Sequence, residues 1–329
     1  MERDEKMKIG VVGAGNMGGL HASLVKKRAD VEFVGVTDID QDRCNKFCEA
    51  HGGKAFKNVQ EMIQSGGAEI VFVTVPNTKH KQVILDGLKE GAIVFGEKPF
   101  VTSLADADEI MTELGGKQNR LYLGFNRRFA PVYAKAKELL QQGFLVRSAN
   151  IIMNDGDMTS PPWVTNTALT GGFLYDTTIH MFDMVRFLVG EIAEIRCVAQ
   201  QCHYPLQDNF SFIFTTTTGQ SIVMSSNGHA SWAFPSERVQ LWGDHATIVT
   251  EELDSVMHCG SHQTTLQITD VKNLERNMKW GYVQMHEDFL GAVAANRSFS
   301  ITPEDAYKSV LIAELCYNSA AQGGKSIRL

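Results

Sequence analysis

One short stretch near the start of the chain restricts the fold more than any other. Lys8 to Val12 reads as an apolar strand, and Gly13-Ala14-Gly15-Asn16-Met17-Gly18 follows it without a gap. A helical stretch runs from about Met17 to Lys27, and a second strand, Val31 to Thr37, ends on Asp38. Strand, glycine turn, helix, strand and acid in this order read as a dinucleotide-binding βαβ unit, the plainer alternative being a tight turn in some other α/β domain. Gly13 permits the tight turn, Gly15 lets main chain approach a pyrophosphate, and Gly18 lets helix and strand pack closely. The pyrophosphate would rest on the unpaired N–H groups at the helix start, including those of Asn16 and Met17. Asp38 is placed to bind ribose hydroxyls and to repel a 2′-phosphate, and Asp40 and Asp42 add to that repulsion. The expected cofactor is therefore NAD rather than NADP, with Arg43 the one nearby residue of opposite tendency.

The alternation continues. Helices are predicted over Gln41–Ala50, Val59–Ile63, His80–Leu88 and from a Ser103 cap to Leu114, with strands over Glu69–Val73, Ala92–Phe95 and Arg120–Phe125. Short connections between strands and helices imply a mostly parallel sheet with right-handed crossovers. Ligands of such sheets gather beyond the C-terminal ends of the strands. There lie the Gly13 turn, Thr74-Val75-Pro76-Asn77, and Gly96-Glu97-Lys98-Pro99. Lys98 leaves a strand end toward the cofactor crevice, where its ammonium can polarise a reacting oxygen and hold substrate. The plainer alternative is a surface lysine. Pro99 fixes the turn in either isomer.

After a helix over Pro131–Gln142 the pattern changes. Strand-like runs at 146–153, 192–202, 210–217, 221–226, 237–242 and 246–250, with turns at Gly219 and Gly243-Asp244, predict a large, mostly antiparallel sheet. Helices are expected over His180–Leu188, His286–Ala294 and Pro303–Gln322, the last capped by Gly323-Gly324. The alternation in Glu237-Arg238-Val239-Gln240-Leu241-Trp242 suits a sheet covered on one face, whose other face is a candidate oligomer interface. The chain thus divides into a nucleotide-binding domain, 1–125, and a substrate and oligomerisation domain, 126–329, with the terminal helix able to pack back on the first.

Thr170-Gly171-Gly172-Phe173-Leu174-Tyr175-Asp176-Thr177-Thr178-Ile179-His180-Met181-Phe182-Asp183 is the richest segment of the second half. Asp176, His180 and Asp183 share a helical face at i, i+4 and i+7. An imidazole titrates near neutrality, so His180 can take a proton from a substrate hydroxyl while a carboxylate orients it. The alternative makes Asp176 a helix cap and His180 a packing residue, and a metal site would want a third matched ligand. Arg127, Arg128, Asn154, Asp155 and Trp163 are candidates for the substrate crevice, with an ion pair the alternative for Arg128. Tyr175, Tyr282 and His286 read as structural first. His258-Cys259-Gly260-Ser261-His262 reads as a turn rather than a metal cluster, and Cys44 with Cys48 as core packing.

Composition removes other classes. With 31 basic and 38 acidic residues the net charge is -7, and no Lys/Arg run marks a nucleic-acid groove. No apolar stretch is long enough to span a bilayer, and Met1-Glu2-Arg3-Asp4-Glu5-Lys6 has no apolar leader. Six scattered cysteines without a CxxC pair suit a reducing cytoplasm.

Together, the Gly13–Gly18 fingerprint, Pro76-Asn77 with His80, Glu97-Lys98-Pro99, the Gly171–Asp183 segment and the closing Ser319-Ala320-Ala321-Gln322-Gly323-Gly324 resemble the glucose–fructose oxidoreductase / inositol dehydrogenase family, nearly end to end. The resemblance implies a Rossmann domain followed by an α/β domain with a large open sheet. It implies oxidation of a hydroxyl of a sugar, sugar derivative or cyclitol with NAD or NADP. It assigns catalysis to Lys98, Asp176 and His180, and cofactor contacts to the fingerprint and to Thr74, Pro76, Asn77, His80, Glu97 and Lys98. Lys98, Arg127, Asn154, Trp163, Asp176 and His180 are the expected substrate contacts. Homodimers or homotetramers through the open sheet are also implied. The sequence departs from the family pattern at Thr170 and Thr178, where glycines are common, so the helix start is expected to pack differently. Two rival readings stay open: an NAD-retaining epimerase or redox-assisted glycosidase, and a non-catalytic, NAD-responsive regulator.

Overall fold

The computed structural model describes residues 5–156, 158, 163–233 and 237–329. The N-terminal run Met1–Asp4 lies outside the described residues. Two compact units result, one formed by Met1–Phe125 with Met285–Val310, the other by Asn126–Gln284 with Leu311–Leu329.

The first unit is built on six parallel strands: β1 (Met7–Val12), β2 (Val31–Thr37), β3 (Lys54–Phe56), β4 (Ile70–Val73), β5 (Ile93–Gly96) and β6 (Leu121–Leu123), in the spatial order β3-β2-β1-β4-β5-β6. That order reverses direction between β1 and β4, which opens a crevice at their C-terminal ends. Every residue of β4 is fully buried, as a sheet covered on both faces requires. Ser103 caps the helix Leu104–Leu114 by accepting from the Asp106 N–H at 3.2 Å, and Gly115 ends it in the left-handed region. β3 is absent from the sequence reading because three residues carry too little pattern. Part of the chain's end completes this core: the Phe289 ring lies 5.8, 5.2 and 4.9 Å from those of Phe72, Phe95 and Tyr122. Tyr122 also donates to Asp288 at 3.1 Å.

The second unit carries nine strands: β7 (Ser148–Asn154), β8 (Ile192–Gln200), β9 (Asn209–Thr216), β10 (Ser221–Asn227), β11 (Glu237–Trp242), β12 (Thr247–Glu251), β13 (Ser255–Cys259), β14 (Gln267–Asp270) and β15 (Ile327–Arg328). They are ordered β14-β13-β12-β11-β7-β10-β9-β8-β15, and β7 with β10 is the parallel pair in an otherwise antiparallel ladder. Phe210, Phe212 and Phe214 point inward from β9, with the last two rings edge-on to Phe182 of the helix Ile179–Leu188. On the opposite face Val198, Ile213 and Val223 are each about half exposed, and Ile213 stands directly opposite Val223. β13 and β14 are absent from the sequence reading; β14 is exposed throughout, Ile268 included, so it shows no buried face. His258 and Cys259 end β13 rather than forming the turn itself, which follows at Gly260–Gln263.

Candidate functional site

In the first unit the glycine turn is held from two sides. Gly13 sits at φ +105, and a Cβ there would come 2.7 Å from the Thr74 carbonyl oxygen. A Cβ on Gly18 would lie 2.1 Å from the Gly13 oxygen. Both positions therefore admit only glycine without rearrangement. The Thr74 hydroxyl donates to the carbonyls of Val12 and Gly13, at 2.9 Å each, so it fixes the turn. Helix Asn16–Val25 starts at Gly15 with no side-chain cap, which leaves its first N–H groups to an incoming anion. A Cβ on Gly15 would meet nothing nearer than the Arg43 guanidinium at 3.7 Å, so this is an open cradle that fits a pyrophosphate.

Asp38 is held by the N–H groups of Ala14 at 2.8 Å and Asp40 at 3.1 Å. Arg43 turns back on the loop toward the Ala14 carbonyl, at 3.4 Å. The carboxylate is thus built into the glycine turn, where the sequence placed it as the ribose ligand. These residues fit NAD, which when bound would supply the hydride acceptor.

Two further turns share this edge of the sheet. His80 is buried, with one ring nitrogen 2.7 Å from the Pro99 carbonyl and the other 3.0 Å from that of Val75. It ties the Thr74–Asn77 turn to the Gly96–Pro99 turn. Burial pushes its pKa below the ordinary value, against the two carbonyls, which favour the charged form. The Lys98–Pro99 bond is cis. Lys98 is half-buried at the end of β5, and Asn77 is buried. Glu97 is turned into the core, where Oε1 meets the His21 ring at 2.9 Å and Oε2 accepts from the Lys98 N–H at 3.2 Å. His80 and Glu97 thus act on the main chain of the cofactor edge, a placement that spacing alone does not disclose.

In the second unit the Gly171–Asp183 segment is not one regular helix. Thr170 ends a short turn of helix, and its hydroxyl accepts from the Gly172 N–H at 3.2 Å. Gly172, at φ +113, leaves room for the Tyr317 hydroxyl, which a Cβ would approach to 2.6 Å. That hydroxyl accepts from the Leu174 N–H at 3.1 Å. Leu174–Thr178 is a π-helical turn that runs directly into helix Ile179–Leu188. Such wide turns are frequent at functional sites. The wider turn alters the regular i, i+4, i+7 face expected from the sequence. Asp176 is half-buried in the π turn, and His180 is buried at the start of the regular helix. Asp183 is fully buried and bound to Arg128 at 2.6 and 2.8 Å, so it belongs to an ion pair rather than to the proton-transfer set. Asp176 is therefore not the cap of that helix. Thr178 hydrogen-bonds to Ser226 of β10 at 2.9 Å, which fastens the junction to the sheet; this is what the departure from glycine does here. Thr177 donates to Asp155 at 3.4 Å.

The expected substrate contacts divide. Arg127 is buried, holds Glu237 through Nε at 3.0 and 3.1 Å, and lies over the Trp280 ring at 4.7 Å. Tyr133 donates to the same Glu237 at 2.7 Å. That pair takes Nε, while Nη1 is buried without a hydrogen-bond partner among the described residues. Asn154 ends β7 and accepts from Asn227 at 2.8 Å, and Trp163 is 39% exposed. Among the described residues no three His, Cys, Asp or Glu side chains are gathered to hold a metal ion, and no helix is long and apolar enough to cross a membrane.

Comparison with known proteins agrees with this geometry. Residues 7–125 match the family model of the Gfo/Idh/MocA oxidoreductases, NAD-binding Rossmann fold, and residues 137–329 match that family's C-terminal alpha/beta domain. The inositol 2-dehydrogenase of Rhizobium meliloti (strain 1021) is 22% identical over 329 residues, covering 96% of this chain and 97% of that protein. The myo-inositol 2-dehydrogenase of Thermotoga maritima is 33% identical over 189 residues, 57% of this chain and 56% of that relative, so the match spans little more than half its length. Levoglucosan dehydrogenase in complex with NADH superposes with a TM-score of 0.89 at 18% identity, over 98% of this chain and 99% of the other. With both domain models matched in order along the chain, this protein belongs to the Gfo/Idh/MocA family of NAD-dependent oxidoreductases.

Proposed function

We propose that this enzyme oxidises a secondary hydroxyl of a cyclitol, sugar or sugar derivative, reversibly, with NAD. The observation that carries the reading lies on one edge of the first sheet. The uncapped helix start over the Gly13–Gly18 turn and the Lys98 turn both follow C-terminal strand ends of the same parallel sheet. The names of the relatives support the substrate class. In this reading bound NAD supplies the hydride acceptor. The His180 imidazole takes the hydroxyl proton, Asp176 orients the imidazole or the substrate, and the Lys98 ammonium stabilises the negative charge developing on that oxygen. Reduction reverses the roles. Arg127, Asn154 and Trp163 complete the substrate contacts, and Thr74, Pro76, Asn77 and Asp38 the cofactor contacts.

We also assign homo-oligomerisation to the outer face of the nine-stranded sheet, supported by the exposed Val198, Ile213 and Val223. The six free thiols support a reducing, cytoplasmic setting.

The test is NADH formation across myo-inositol, scyllo-inositol, glucose, glucose 6-phosphate and levoglucosan, each with NAD and with NADP. One NADH per molecule oxidised, with NAD preferred about tenfold or more, is the expected result. Product formation without net NADH would replace the dehydrogenase by an NAD-retaining isomerase. NADH binding without turnover of any panel member would favour the regulatory alternative. A sedimentation coefficient that falls to the monomer's on Val223→Glu tests the interface.

A further inference from the structure

Behind the Lys98 turn lies a buried polar chain that the proposed chemistry leaves unused. His21 is fully buried on helix Asn16–Val25, among the rings of Phe72 and Phe95 at 5.2 Å each. Its Nε2 is 2.9 Å from Glu97 Oε1, and its Nδ1 is 2.7 Å from His286 Nε2. The two imidazole planes differ by 14° with centroids 5.0 Å apart. A ring-nitrogen contact of 2.7 Å at that spacing sets the rings edge to edge in one plane, the geometry of a linear N–H···N bond.

The proton positions follow from the ends. A carboxylate only accepts, so His21 Nε2–H donates to Glu97. His21 Nδ1 then accepts from His286 Nε2–H, which leaves His286 Nδ1 as a bare lone pair. Among the described residues that atom is buried without a hydrogen-bond partner, and burial holds His286 well below the ordinary imidazole pKa, hence neutral. A lone pair is the cheaper group to leave unmatched than an N–H, so this direction of donation is the favoured one. At the other end, Glu97 Oε2 holds the Lys98 N–H at 3.2 Å. Gly124 faces the carboxyl so closely that a Cβ would stand 3.0 Å from Oε1, so the carboxyl has little room to swing.

We propose that His21 and His286 are positioning residues for Lys98. His286 fixes the tautomer and direction of His21, His21 fixes one oxygen of Glu97, and the other oxygen fixes the main chain from which Lys98 departs. An apolar trio would fill the same core without a desolvation cost, and orientation is what the polar chain adds. The inference rests on the assignment of Lys98 made above.

The test compares His21→Leu, which removes the chain, with His21→Gln, which keeps an amide donor for Glu97, in the full-length enzyme. Hydrogen exchange of the Gly96–Phe100 segment is measured together with kcat, KM, NADH affinity and Tm, using the best substrate of the panel. Expected are faster exchange in that segment and a kcat lowered about ten- to a hundredfold in His21→Leu, with NADH affinity unchanged within about twofold. Most of kcat and protection should return in His21→Gln. The loss should also be absent when Lys98 is already Lys98→Met, because the two residues act in series. Unchanged kcat and exchange, or losses that follow Tm equally in both variants, would reduce the chain to core packing and overturn the proposal. Additive losses with Lys98→Met would overturn it too. Should Lys98→Met itself leave turnover intact, the Lys98 assignment fails, and the exchange data still decide whether His21 holds the segment. Where His21→Leu does not fold, His286→Leu and His286→Gln give the same comparison from the far end of the chain.

Discussion

The two units put chemistry on a sheet in opposite ways. The six-stranded sheet has a core strand buried throughout, and its candidate cofactor edge is made of main chain: an uncapped helix start, glycines without room for a Cβ, and turns held by Thr74 and His80. The nine-stranded sheet has one face covered, and its candidate groups are side chains on a π-helical turn and the helix after it. A main-chain site depends on local spacing. A side-chain site depends on what lies opposite, supplied from remote parts of the chain.

If that contrast holds, the largest effects come from single side chains of the proton-transfer set. His180→Ala should lower kcat by about a hundred- to ten-thousandfold while NADH affinity stays within about twofold. Stopped-flow turnover and NADH fluorescence titration decide it, and near-full activity would break the comparison at its centre. The next effect is on stability in the second unit. Arg128→Met strands the buried Asp183 carboxylate and should cost about 3–5 kcal/mol in urea unfolding. A cost under about 1 kcal/mol would mean the pair is not the anchor its distances suggest.

In the first unit, Gly18→Ala pushes a methyl into the Gly13 carbonyl. The expected strain, about 1–3 kcal/mol, should appear as weakened NADH binding with kcat at saturating NAD little altered. A kcat loss with unchanged affinity would place that turn in catalysis instead.

The smallest effect is on acid tolerance. His80 and His286, both in the first unit, are held below the ordinary imidazole pKa by burial. The native state therefore binds fewer protons than the unfolded chain. Their contribution is whole above about pH 6.5 and is lost progressively as pH falls below it toward the folded values. In the second unit Asp208 is buried, which alone would raise its pKa, but the N–H groups of Cys202, Tyr204 and His203 lower it, so its contribution fails only in the carboxylate range. Hydrogen exchange between pH 7 and 5 should show protection falling in the first sheet before the second. Equal loss in both would remove this part of the contrast.

The same difference sets what could be read from residues alone. The Rossmann sheet, the Ser103 cap and the closing glycines were legible because each depends on neighbours within a few positions. The direction of Asp183 was not, because its partner Arg128 is 55 residues away. The pairing of Arg127 was not legible either, because Glu237, which accepts from its Nε, lies 110 residues on. His21 gave a faint signal, a polar residue between Leu20 and Ala22, but its partner His286 is 265 residues distant. The π turn had no signature beyond the glycines before it.

The return of Met285–Val310 to the first unit has a consequence for synthesis. Phe72, Phe95 and Tyr122 are translated early, and the Phe289 ring that meets all three comes late. The nascent nucleotide-binding sheet must therefore wait on the ribosome with an aromatic face uncovered until most of the chain has emerged. A fragment ending at Phe125 would inherit that open face, so cutting the gene at the apparent boundary should yield an aggregating half rather than a free-standing cofactor-binding domain.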